Sequence, residues 1–404
     1  MKKNVTPNES TLLSLADYCV KCGLCSTTCP TYQLTQDENE SPRGRIALAQ
    51  ALASNSIKDL SKLSTHIDNC LSCRKCESVC PSGVKYGELI DLTRITLQEK
   101  QPPNALSQFI IKRISTLNHK QWLTIEKFWR FCLRFRLNKF ANILPLGKKL
   151  NLTISRNYES LATNDISNQS KSVSLFTGCL SHLFDKTTTN ASIQLLNELG
   201  FQVNIPNDQS CCGAIALHNG FAEVANQCVK TNINAFPQDQ DIIFLATGCG
   251  ATLKELYQEN SSDFANRSVD INSFLLRSEE FNNRKFNALQ KTVFLHAPCS
   301  EKHVLKQIGE VKKLLSKIPD LEIKTSSVPI SCCGAAGSHI VSHAHQAQLI
   351  RKPLIDEILA SNADYLISAN YTCNMHLLAG LREKKIDIPS LHPIKLLLAQ
   401  MVKE

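Results

Sequence analysis

Residues 19–30 read CVKCGLCSTTCP, and residues 70–81 read CLSCRKCESVCP. Both runs place four cysteines at the spacing C-x2-C-x2-C-x3-C, and a proline follows each run. The cysteines are Cys19, Cys22, Cys25 and Cys29 in the first run, and Cys70, Cys73, Cys76 and Cys80 in the second. Three thiols on one short loop can bind the same metal cluster, whereas the fourth is directed away from it. The two runs therefore predict a pair of clusters held by eight thiolates.

The spacing is that of ferredoxin-type domains with two [4Fe–4S] clusters, in which the last cysteine of each run binds the other cluster. We therefore predict a first cluster at Cys19, Cys22, Cys25 and Cys80, and a second cluster at Cys70, Cys73, Cys76 and Cys29. Zinc is the alternative, but zinc sites usually pair two C-x2-C units across a longer gap. Two such clusters relay single electrons, so residues 1–100 are predicted to form an electron-transfer domain. No catalytic residue is assigned.

Four cations lie near these cysteines in the sequence, namely Arg43, Arg45, Arg74 and Lys75. A positive charge favours the reduced, more negative form of a cluster and raises its potential. The alternative is that these side chains are solvated or bind a partner. The sequence leaves both interpretations open.

The composition excludes several classes of protein. The chain has 404 residues, 43% hydrophobic and 20% charged, which is ordinary for a globular protein, but it contains 18 cysteines. Disulfide-dense chains are usually small and secreted, and the N-terminal residues MKKNVTPNESTLL show no apolar signal-peptide core. No run of about 18 apolar residues indicates a membrane-spanning helix. We therefore expect a cytoplasmic protein whose clustered cysteines bind metal or do redox chemistry.

The positive charge is concentrated in one segment. Eleven of the Lys and Arg residues fall between Lys112 and Arg156, where Glu126 is the only acid, so this stretch carries a net charge of +10. Residues 101–170 are predicted to be a basic helical connector that ends in a polar linker. Apolar residues at helical spacing in it (Trp122, Ile125, Trp129, Leu133 and Phe140) would either face an anionic membrane, giving peripheral contact at the inner membrane, or pack in a core. Nothing indicates a nucleic-acid-binding fold.

The rest of the chain is a duplication. SVSLFTGC (172–179) aligns with KTVFLHAPC (291–299), the two SCCGA segments align with each other, and DIIFLATGCG (241–250) aligns with DYLISANYTCN (364–374). The cysteines Cys179, Cys211, Cys212 and Cys249 match Cys299, Cys332, Cys333 and Cys373 at offsets of 120 to 124 residues. A nearly constant offset indicates a repeated domain. We predict repeats at residues 171–285 and 286–404, named CCG domains after their shared motif.

Each repeat alternates apolar, β-rich runs with segments of helical periodicity, which predicts an α/β domain with a mostly parallel sheet. The predicted fold class is therefore α+β multidomain: a mostly helical two-cluster domain followed by two duplicated α/β domains. Sites in such sheets form at the carboxyl ends of strands. Cys179, Cys249, Cys299 and Cys373 lie at or just past such ends, and the two CC pairs lie in loops before helices.

The eight CCG cysteines form a candidate site of less certain chemistry. Adjacent thiols can close a strained disulfide or bind a metal assembly, including a further iron–sulfur cluster, and buried packing is the plain alternative. His296, three residues before Cys299, is a candidate ligand or donor at this site. Cys132 and Cys228 lie in helical runs without a partner pattern and are predicted to pack. No G-x-G-x-x-G, P-loop or H-E-x-x-H motif indicates a nucleotide site or a zinc protease.

The chain resembles the iron–sulfur subunit family of glycolate oxidase. The resemblance rests on CVKCGLCSTTCPTYQLTQDENESPRGRIALAQ, on CLSCRKCESVCPSGVKYGELID and on the two CCG domains. The CCG domains are also similar to those of heterodisulfide reductase and of the third subunit of anaerobic glycerol-3-phosphate dehydrogenase. In these families a further cysteine often follows three positions after the last one of a repeat. Here those positions are Thr252 and His376, so the resemblance carries over four cysteines per repeat and no fifth.

The resemblance implies that a flavin-containing partner oxidises glycolate to glyoxylate and that this chain passes the electrons to a quinone or another acceptor. The eight N-terminal cysteines carry over as cluster ligands. Three alternatives are kept: a subunit for D-lactate or another 2-hydroxy acid, a heterodisulfide-reductase-like thiol enzyme, and a cluster-bearing sensor.

Overall fold

The computed structural model describes residues 9–134, 171–179, 181, 185–328 and 331–403, without the side chains of residues 126 and 128–134. The predicted linker at the end of the connector lies outside these ranges, as do Phe140 and the side chains of Cys132, Trp129 and Leu133.

Residues 9–100 form a helical domain, in agreement with the predicted fold class. Its helices are α1 (Glu9–Asp17), α2 (Pro30–Thr35), α3 (Pro42–Ala53), α4 (Leu60–Asp68), α5 (Lys75–Ser78) and α6 (Tyr86–Lys100), with short 3₁₀ turns at Ser26–Thr28 and Glu38–Glu40. Helix α3 begins where the sequence indicates. The Ser41 hydroxyl accepts a hydrogen bond from the Gly44 amide, and Pro42 occupies the first turn, where no intrahelical amide bond is lost. Helices α1, α3, α4 and α6 pack around one apolar core.

Two four-stranded parallel sheets follow, one in each repeat. The strands are β1 (Lys171–Phe176), β2 (Phe201–Asn204), β3 (Asp241–Phe244), β4 (Ser268–Asp270), β5 (Lys291–Leu295), β6 (Leu321–Thr325), β7 (Tyr365–Ile367) and β8 (Ser390–Leu391). Their orders are β2-β1-β3-β4 and β6-β5-β7-β8. The two orders are the same when matched repeat by repeat, which confirms the duplication and the parallel α/β fold.

The remaining helices connect these strands or precede them. Between the helical domain and the first sheet lie α7 (Ala105–Thr116) and α8 (His119–Arg134). The first repeat contains α9 (Lys186–Glu198), α10 (Ala214–Leu217), α11 (Ala222–Ala235), α12 (Thr247–Glu255), α13 (Ser262–Arg267), α14 (Ile271–Arg277) and α15 (Glu279–Asn282). The second contains a π-helical turn (Ser300–Leu305), α16 (Glu310–Leu315), α17 (His339–Ser342), α18 (Ala344–Ala360), α19 (Tyr371–Glu383) and α20 (Pro393–Gln400).

The two sheets share one apolar core, which includes Val173 and Ile243 from the first repeat and Val293 and Ile367 from the second. Helix α20 of the second repeat packs on α9 of the first. Because each sheet buries a face against the other repeat, the two repeats stabilise each other by burying apolar area that either alone would expose.

Side-chain bonds join the helical domain to the repeats. The ring Nδ1 of His218 lies 2.9 Å from a carboxylate oxygen of Asp91 on α6. Arg74, beside Cys73, pairs with Glu255 at the end of α12. These contacts hold the N-terminal cysteine loops against the CCG domains.

The described part of the basic connector packs on the first repeat. Trp122 and Leu117 are buried in the core that surrounds the first CCG motif, and the Cys228 thiol donates to the Ser115 carbonyl at 3.2 Å. Trp122 and Cys228 therefore pack, as the plain interpretation predicts. Among the described residues, no helix has the length and apolar character needed to cross a membrane.

Candidate iron–sulfur and thiol sites

The two N-terminal cysteine loops share a backbone conformation. In the first loop, Lys21 and Gly23 separate the three leading cysteines with φ of +57° and +86°; in the second, Ser72 and Arg74 occupy the matching positions with φ of +49° and +58°. Left-handed conformations are uncommon for residues other than glycine. Two of them within one short loop reverse the chain repeatedly, so both loops wrap around a centre instead of continuing as helix.

Each loop borders a separate cavity. The first cavity, with a volume of about 420 Å³ including the open space at its mouth, is lined by the four thiols Cys19, Cys22, Cys25 and Cys80, and also by Cys76. The second, of about 320 Å³, is lined by Cys29, Cys70, Cys73 and Cys76. Four thiols around each cavity match the donor set of a cubane cluster. Cys80, the fourth cysteine of the second run, lines the first cavity, and Cys29, the fourth of the first run, lines the second.

The two cavities adjoin each other, because Pro42, Cys76 and Tyr86 line both. They differ in exposure. Cys22 is exposed at the first cavity, whereas Cys29, Cys70 and Cys76 are buried at the second. Burial raises the pKa of Cys73 and of Cys76, because a thiolate loses its hydration there.

The four candidate tuning cations have different surroundings. Arg45 is 1% exposed and lines the second cavity, with its Nη1 4.0 Å from the Cys29 sulfur. Arg43 is partly exposed and pairs with Glu38, and Arg74 pairs with Glu77 and Glu255. Arg74 and Lys75 also line the second cavity but are half-buried, so Arg45 is the one fully buried charge among the four. The sequence could not separate them, because burial depends on how α3 packs.

A buried network holds Arg45 in place. Its Nη2 donates to the Glu40 carboxylate at 2.5 Å, and its Nη1 donates to the Glu40 carbonyl at 2.6 Å. His66 and Asn69 contact the same carboxylate at 2.7 and 2.9 Å. Burial disfavours the Arg45 cation, but the nearby Cys70, Tyr86, Cys29 and Glu40 more than offset this, and the pKa of the guanidinium is raised. The sequence analysis missed Glu40, His66 and Asn69, which carry no motif.

The first CCG site joins four thiols at the carboxyl edge of the first sheet. Cys211 accepts hydrogen bonds from Cys179 and Cys212, which hold its pKa well below the usual value. The pKa of Cys179 and that of Cys212 rise in turn, and Cys212 also bonds to Cys249. Phe176 and Phe244 pack in the same core. The site is therefore a connected set of thiols in apolar surroundings.

The second CCG site has the same plan with one difference. The sulfurs of Cys333 and Cys373 lie 2.8 Å apart, and their hydrogen bond lowers the pKa of Cys333. Cys299 and Cys332 lie close enough to raise the pKa of Cys373 further. His296 adds a ring nitrogen: its ligand atom and the two sulfurs of Cys333 and Cys373 all lie within 4.8 Å of one another, and all three residues are buried.

The glycine of each CCG motif meets a conformational need. Gly213 and Gly334 have φ of +95° and +73°, which glycine adopts without strain. A Cβ on Gly334 would lie 2.4 Å from the Ala347 carbonyl oxygen. This glycine therefore lets the cysteine loop turn closely against α18.

The second CCG site adjoins the second cavity of the helical domain. Electrostatic interaction with Cys299 contributes to raising the pKa of Cys73, and Cys73 acts likewise on Cys332. Helix α5, which follows Cys73, packs on the π-helical turn that follows Cys299. Sequence spacing could not reveal this juxtaposition, since more than 200 residues separate the two segments.

Thr252 and His376 lie three positions after the last cysteine of each repeat, and neither side chain can supply a thiolate. Thr252 donates to the Gly248 carbonyl at 3.4 Å. His376 donates through Nδ1 to the Cys333 carbonyl at 2.6 Å. His376 therefore supports the backbone of the CC pair.

Family models match the two parts of the chain separately. A 4Fe-4S dicluster domain matches residues 15–84, and a cysteine-rich domain matches residues 173–254 and 293–378. The first match supports [4Fe–4S] binding by the N-terminal domain, and the second confirms both repeats.

Relatives that match nearly the whole chain or about half of it are also found. The glycolate oxidase iron-sulfur subunit of Escherichia coli is 30% identical over 95% of this chain and 94% of its own length. The probable glycolate oxidase iron-sulfur subunit of Bacillus subtilis is 27% identical over 94% and 93%. Lactate utilization protein A 2 of Bacillus cereus is 29% identical over 56% of this chain and 97% of its own. A crystal structure of a hypothetical protein from Helicobacter pylori aligns with a TM-score of 0.48 at 12% identity, over 98% and 77% of the two chains.

Proposed function

Because the chain belongs to the family of glycolate oxidase iron–sulfur subunits with CCG domains, we propose that it is the electron-transfer subunit of a glycolate dehydrogenase complex. In this proposal a flavin-containing partner oxidises glycolate to glyoxylate, and a quinone or another acceptor takes the electrons from this chain. The observation that carries the proposal is the pair of adjoining cavities lined by eight cysteines, in a chain related over almost its whole length to such subunits.

We propose Cys19, Cys22, Cys25 and Cys80 as the ligands of one [4Fe–4S] cluster and Cys70, Cys73, Cys76 and Cys29 as those of the other. Bound there, each cluster would accept and release one electron at a time. The thiolates fix the positions of the clusters, and the side chains of Pro42, Cys76 and Tyr86 keep the two cavities apart while leaving them adjacent. The working division of the chain is residues 1–100, 101–170, 171–285 and 286–404.

The proposed partner surface surrounds the first cavity. Cys22 is exposed there, and the apolar side chains of Tyr18, Val20 and Leu24 are 61%, 68% and 54% exposed. Exposed apolar residues around a redox site favour contact with another protein, since contact would remove this area from water. Electrons from the flavin partner would therefore enter at the first cavity, and the buried second cavity lies farther along.

We propose the CCG cysteines as further metal or redox sites. The four thiols of the first repeat are Cys179, Cys211, Cys212 and Cys249, and those of the second are Cys299, Cys332, Cys333 and Cys373. Electrostatic interaction of Cys73 with Cys299 and Cys332 places the second repeat beside the second cavity of the N-terminal domain. A heterodisulfide-reductase-like enzyme is disfavoured, because Thr252 and His376 offer no fifth thiolate.

We also propose peripheral contact with an anionic membrane surface through α7, which is where a quinone acceptor would be found. Leu106, Phe109 and Ile110 of α7 are exposed, with Lys112 and Arg113 beside them. Residues 101–125 contain no acid. Apolar side chains flanked by cations suit a surface of anionic lipid.

The experiment is anaerobic purification of the chain with its co-expressed flavin subunits, iron analysis and EPR after addition of substrate. We expect about eight irons per chain and reduction by glycolate. Cys22→Ser should lose iron and signal, whereas Cys228→Ser, a buried cysteine that bonds to Ser115, should keep both. Reduction by D-lactate and not by glycolate would favour the second candidate substrate, suggested by the lactate utilization relatives. Fewer than about four irons in a folded sample would contradict the proposal.

A further inference from the structure

The two CCG sites differ at one pair of positions beneath their thiols. In the first repeat, Phe176 and Phe244 pair across β1 and β3. In the second repeat, the matching strands β5 and β7 pair Leu295 with Ile367, so the next two residues, His296 and Ser368, take the places of the two phenylalanines. All four residues are buried. A polar pair has therefore replaced an apolar pair at one point of a shared framework.

Burying a polar pair in place of an apolar pair lowers the stability of the fold unless the polar atoms form hydrogen bonds or bind a ligand. Moving an imidazole and a hydroxyl out of water costs roughly 1–3 kcal/mol for each group that lacks a hydrogen bond. The structure uses part of this capacity, because Nδ1 of His296 lies 3.0 Å from the Ser368 hydroxyl. The other ring nitrogen, Nε2, is thereby oriented as a potential metal ligand, in the way that a hydrogen bond to one imidazole nitrogen commonly fixes the metal-binding role of the other.

The neighbouring donors suit a metal ion. A ring nitrogen of His296 and the sulfurs of Cys333 and Cys373 form a buried group within 4.8 Å. A neutral imidazole and thiolates are the forms of these side chains that bind metal ions. These three residues come from three different segments, after β5, before α17 and at the start of α19, so one ion would tie the segments together.

Two further thiols, Cys299 and Cys332, lie near Cys373 and interact with it electrostatically. They differ in that the Cys332 sulfur accepts the Gly334 amide at 3.4 Å. Cys299 follows His296 by three residues on the same segment, and we assign it as the fourth donor.

We propose that the second CCG repeat binds a single Zn²⁺ ion through Nε2 of His296 and the thiolates of Cys299, Cys333 and Cys373. One imidazole and three thiolates in a buried pocket are a common set for a four-coordinate structural zinc site. The first repeat, with phenylalanine at the matching position, has only thiolates to offer. The proposal deepens the assignment of the CCG cysteines as metal sites and makes the two repeats inequivalent. Cys332 stays outside the zinc shell.

The test measures zinc and iron in the full-length chain purified anaerobically, together with zinc K-edge EXAFS. We expect about one zinc per chain, with one nitrogen at roughly 2.0 Å and three sulfurs at roughly 2.3 Å. His296→Phe with Ser368→Phe, which installs the first repeat's pair, should reduce zinc at least about fivefold and leave the iron of the N-terminal domain unchanged. His296→Cys supplies a thiolate in place of the imidazole and should retain zinc.

The matched control is His392→Gln, which alters a buried histidine of the same repeat that bonds to the Leu245 carbonyl and to none of the proposed ligands. It should keep its zinc. Circular dichroism and N-terminal iron content establish that each variant is folded. An all-sulfur zinc shell, zinc retention in the double phenylalanine variant, or iron in place of zinc at this repeat would overturn the inference. None of these results would affect the proposed function, which is tested by the iron and EPR signals of the N-terminal domain.

Discussion

At the scale of single residues, Arg45 is the side chain most directly placed to influence the second cavity. It is a cation in the protein interior, 4.0 Å from the Cys29 sulfur, and it is neutralised by Glu40. A buried ion pair of this kind adds little net stability, because desolvation cancels most of the attraction. Its position beside four cysteines favours an electrostatic role toward whatever they bind.

We predict that Arg45→Gln combined with Glu40→Gln lowers the reduction potential of the second cluster by roughly 20–50 mV, since Arg45 lines the cavity, Glu40 does not, and the opposite charges removed together cancel most of the effect. The double change avoids leaving an unpaired Glu40 carboxylate, which by itself would cost about 3–5 kcal/mol of stability. EPR-monitored redox titration measures the shift. Arg43→Gln, which removes an exposed cation paired with Glu38, is the control and should change the potential little. An unchanged potential in the folded double variant would rule out this role.

At the scale of secondary-structure elements, the sites depend on loops held in left-handed conformations between strands and helices. The CCG loop of the second repeat turns at Gly334 and passes close to the Ala347 carbonyl of α18. Gly309 also has positive φ, +85°, but a Cβ there would meet nothing within 4 Å. A side chain at either glycine would strain the backbone, but only a side chain at Gly334 would also meet a steric contact.

We predict that Gly334→Ala destabilises the protein more than Gly309→Ala does. The backbone cost of a left-handed alanine is about 1–2 kcal/mol in both variants, and only Gly334→Ala also forces the loop away from α18. Thermal or denaturant unfolding of the two variants gives the comparison. Equal losses of stability would mean that the close approach at Gly334 is relieved without cost.

The amphipathic helix α7 presents a second element-scale feature. One side packs on the first repeat through Ile111 and Ile114, while Leu106 and Phe109 are 68% and 66% exposed on the other. An apolar side chain that enters the bilayer interface contributes about 25 cal/mol for each Å² removed from water.

We predict that Leu106→Ser, Phe109→Ser and Ile110→Ser together weaken binding to vesicles that contain anionic lipid by at least about tenfold. Vesicle sedimentation at low and moderate salt measures the effect. Ile308→Ser alters an exposed side chain of the second repeat and should leave binding unchanged. Equal binding by the triple variant would exclude α7 as the membrane contact.

At the scale of the whole molecule, the cysteine sites of the helical domain and of the second repeat lie next to one another in a series. The first cavity is open to the surface, the second adjoins it, and Cys73 of the second cavity lies beside Cys299 and Cys332 of the second repeat. Arg74 with Glu255, and His218 with Asp91, hold this arrangement across the domain boundary. The order of the sites thus runs from the surface of the helical domain toward the interior of the CCG pair.

We predict that Val20→Glu with Leu24→Glu weakens the complex with the flavin subunits by about tenfold or more, because two carboxylates would be desolvated at the proposed contact. Co-purification and reduction of the clusters by substrate give the two readouts. Ile386→Glu changes an exposed apolar side chain of the second repeat and should bind normally. Unaltered assembly would place the partner elsewhere. Reduction by dithionite should be normal in every variant that retains its iron.

The sequence by itself determined the element types, the duplication and the grouping of the cysteines. Helix α3 begins at Pro42 after the Ser41 cap, and the strands fall on the apolar runs, because capping, periodicity and repeat spacing are local or self-similar properties. The three leading cysteines of each run could be grouped by spacing, since a short loop brings them to one side of a cavity, whereas the exchange of Cys29 and Cys80 was taken from the ferredoxin pattern.

Only the tertiary structure decided which charges and which distant thiols act together. Arg45 differs from Arg43 by being buried, His296 meets Cys333 and Cys373 across the sheet edge, and Cys73 reaches the second repeat. These relations join residues from about 37 to more than 220 positions apart. They depend on how the helical domain packs against the repeats and on which sheet edge faces it. Burial and long-range contacts arise from packing of the whole chain, so they cannot be predicted from a local sequence pattern.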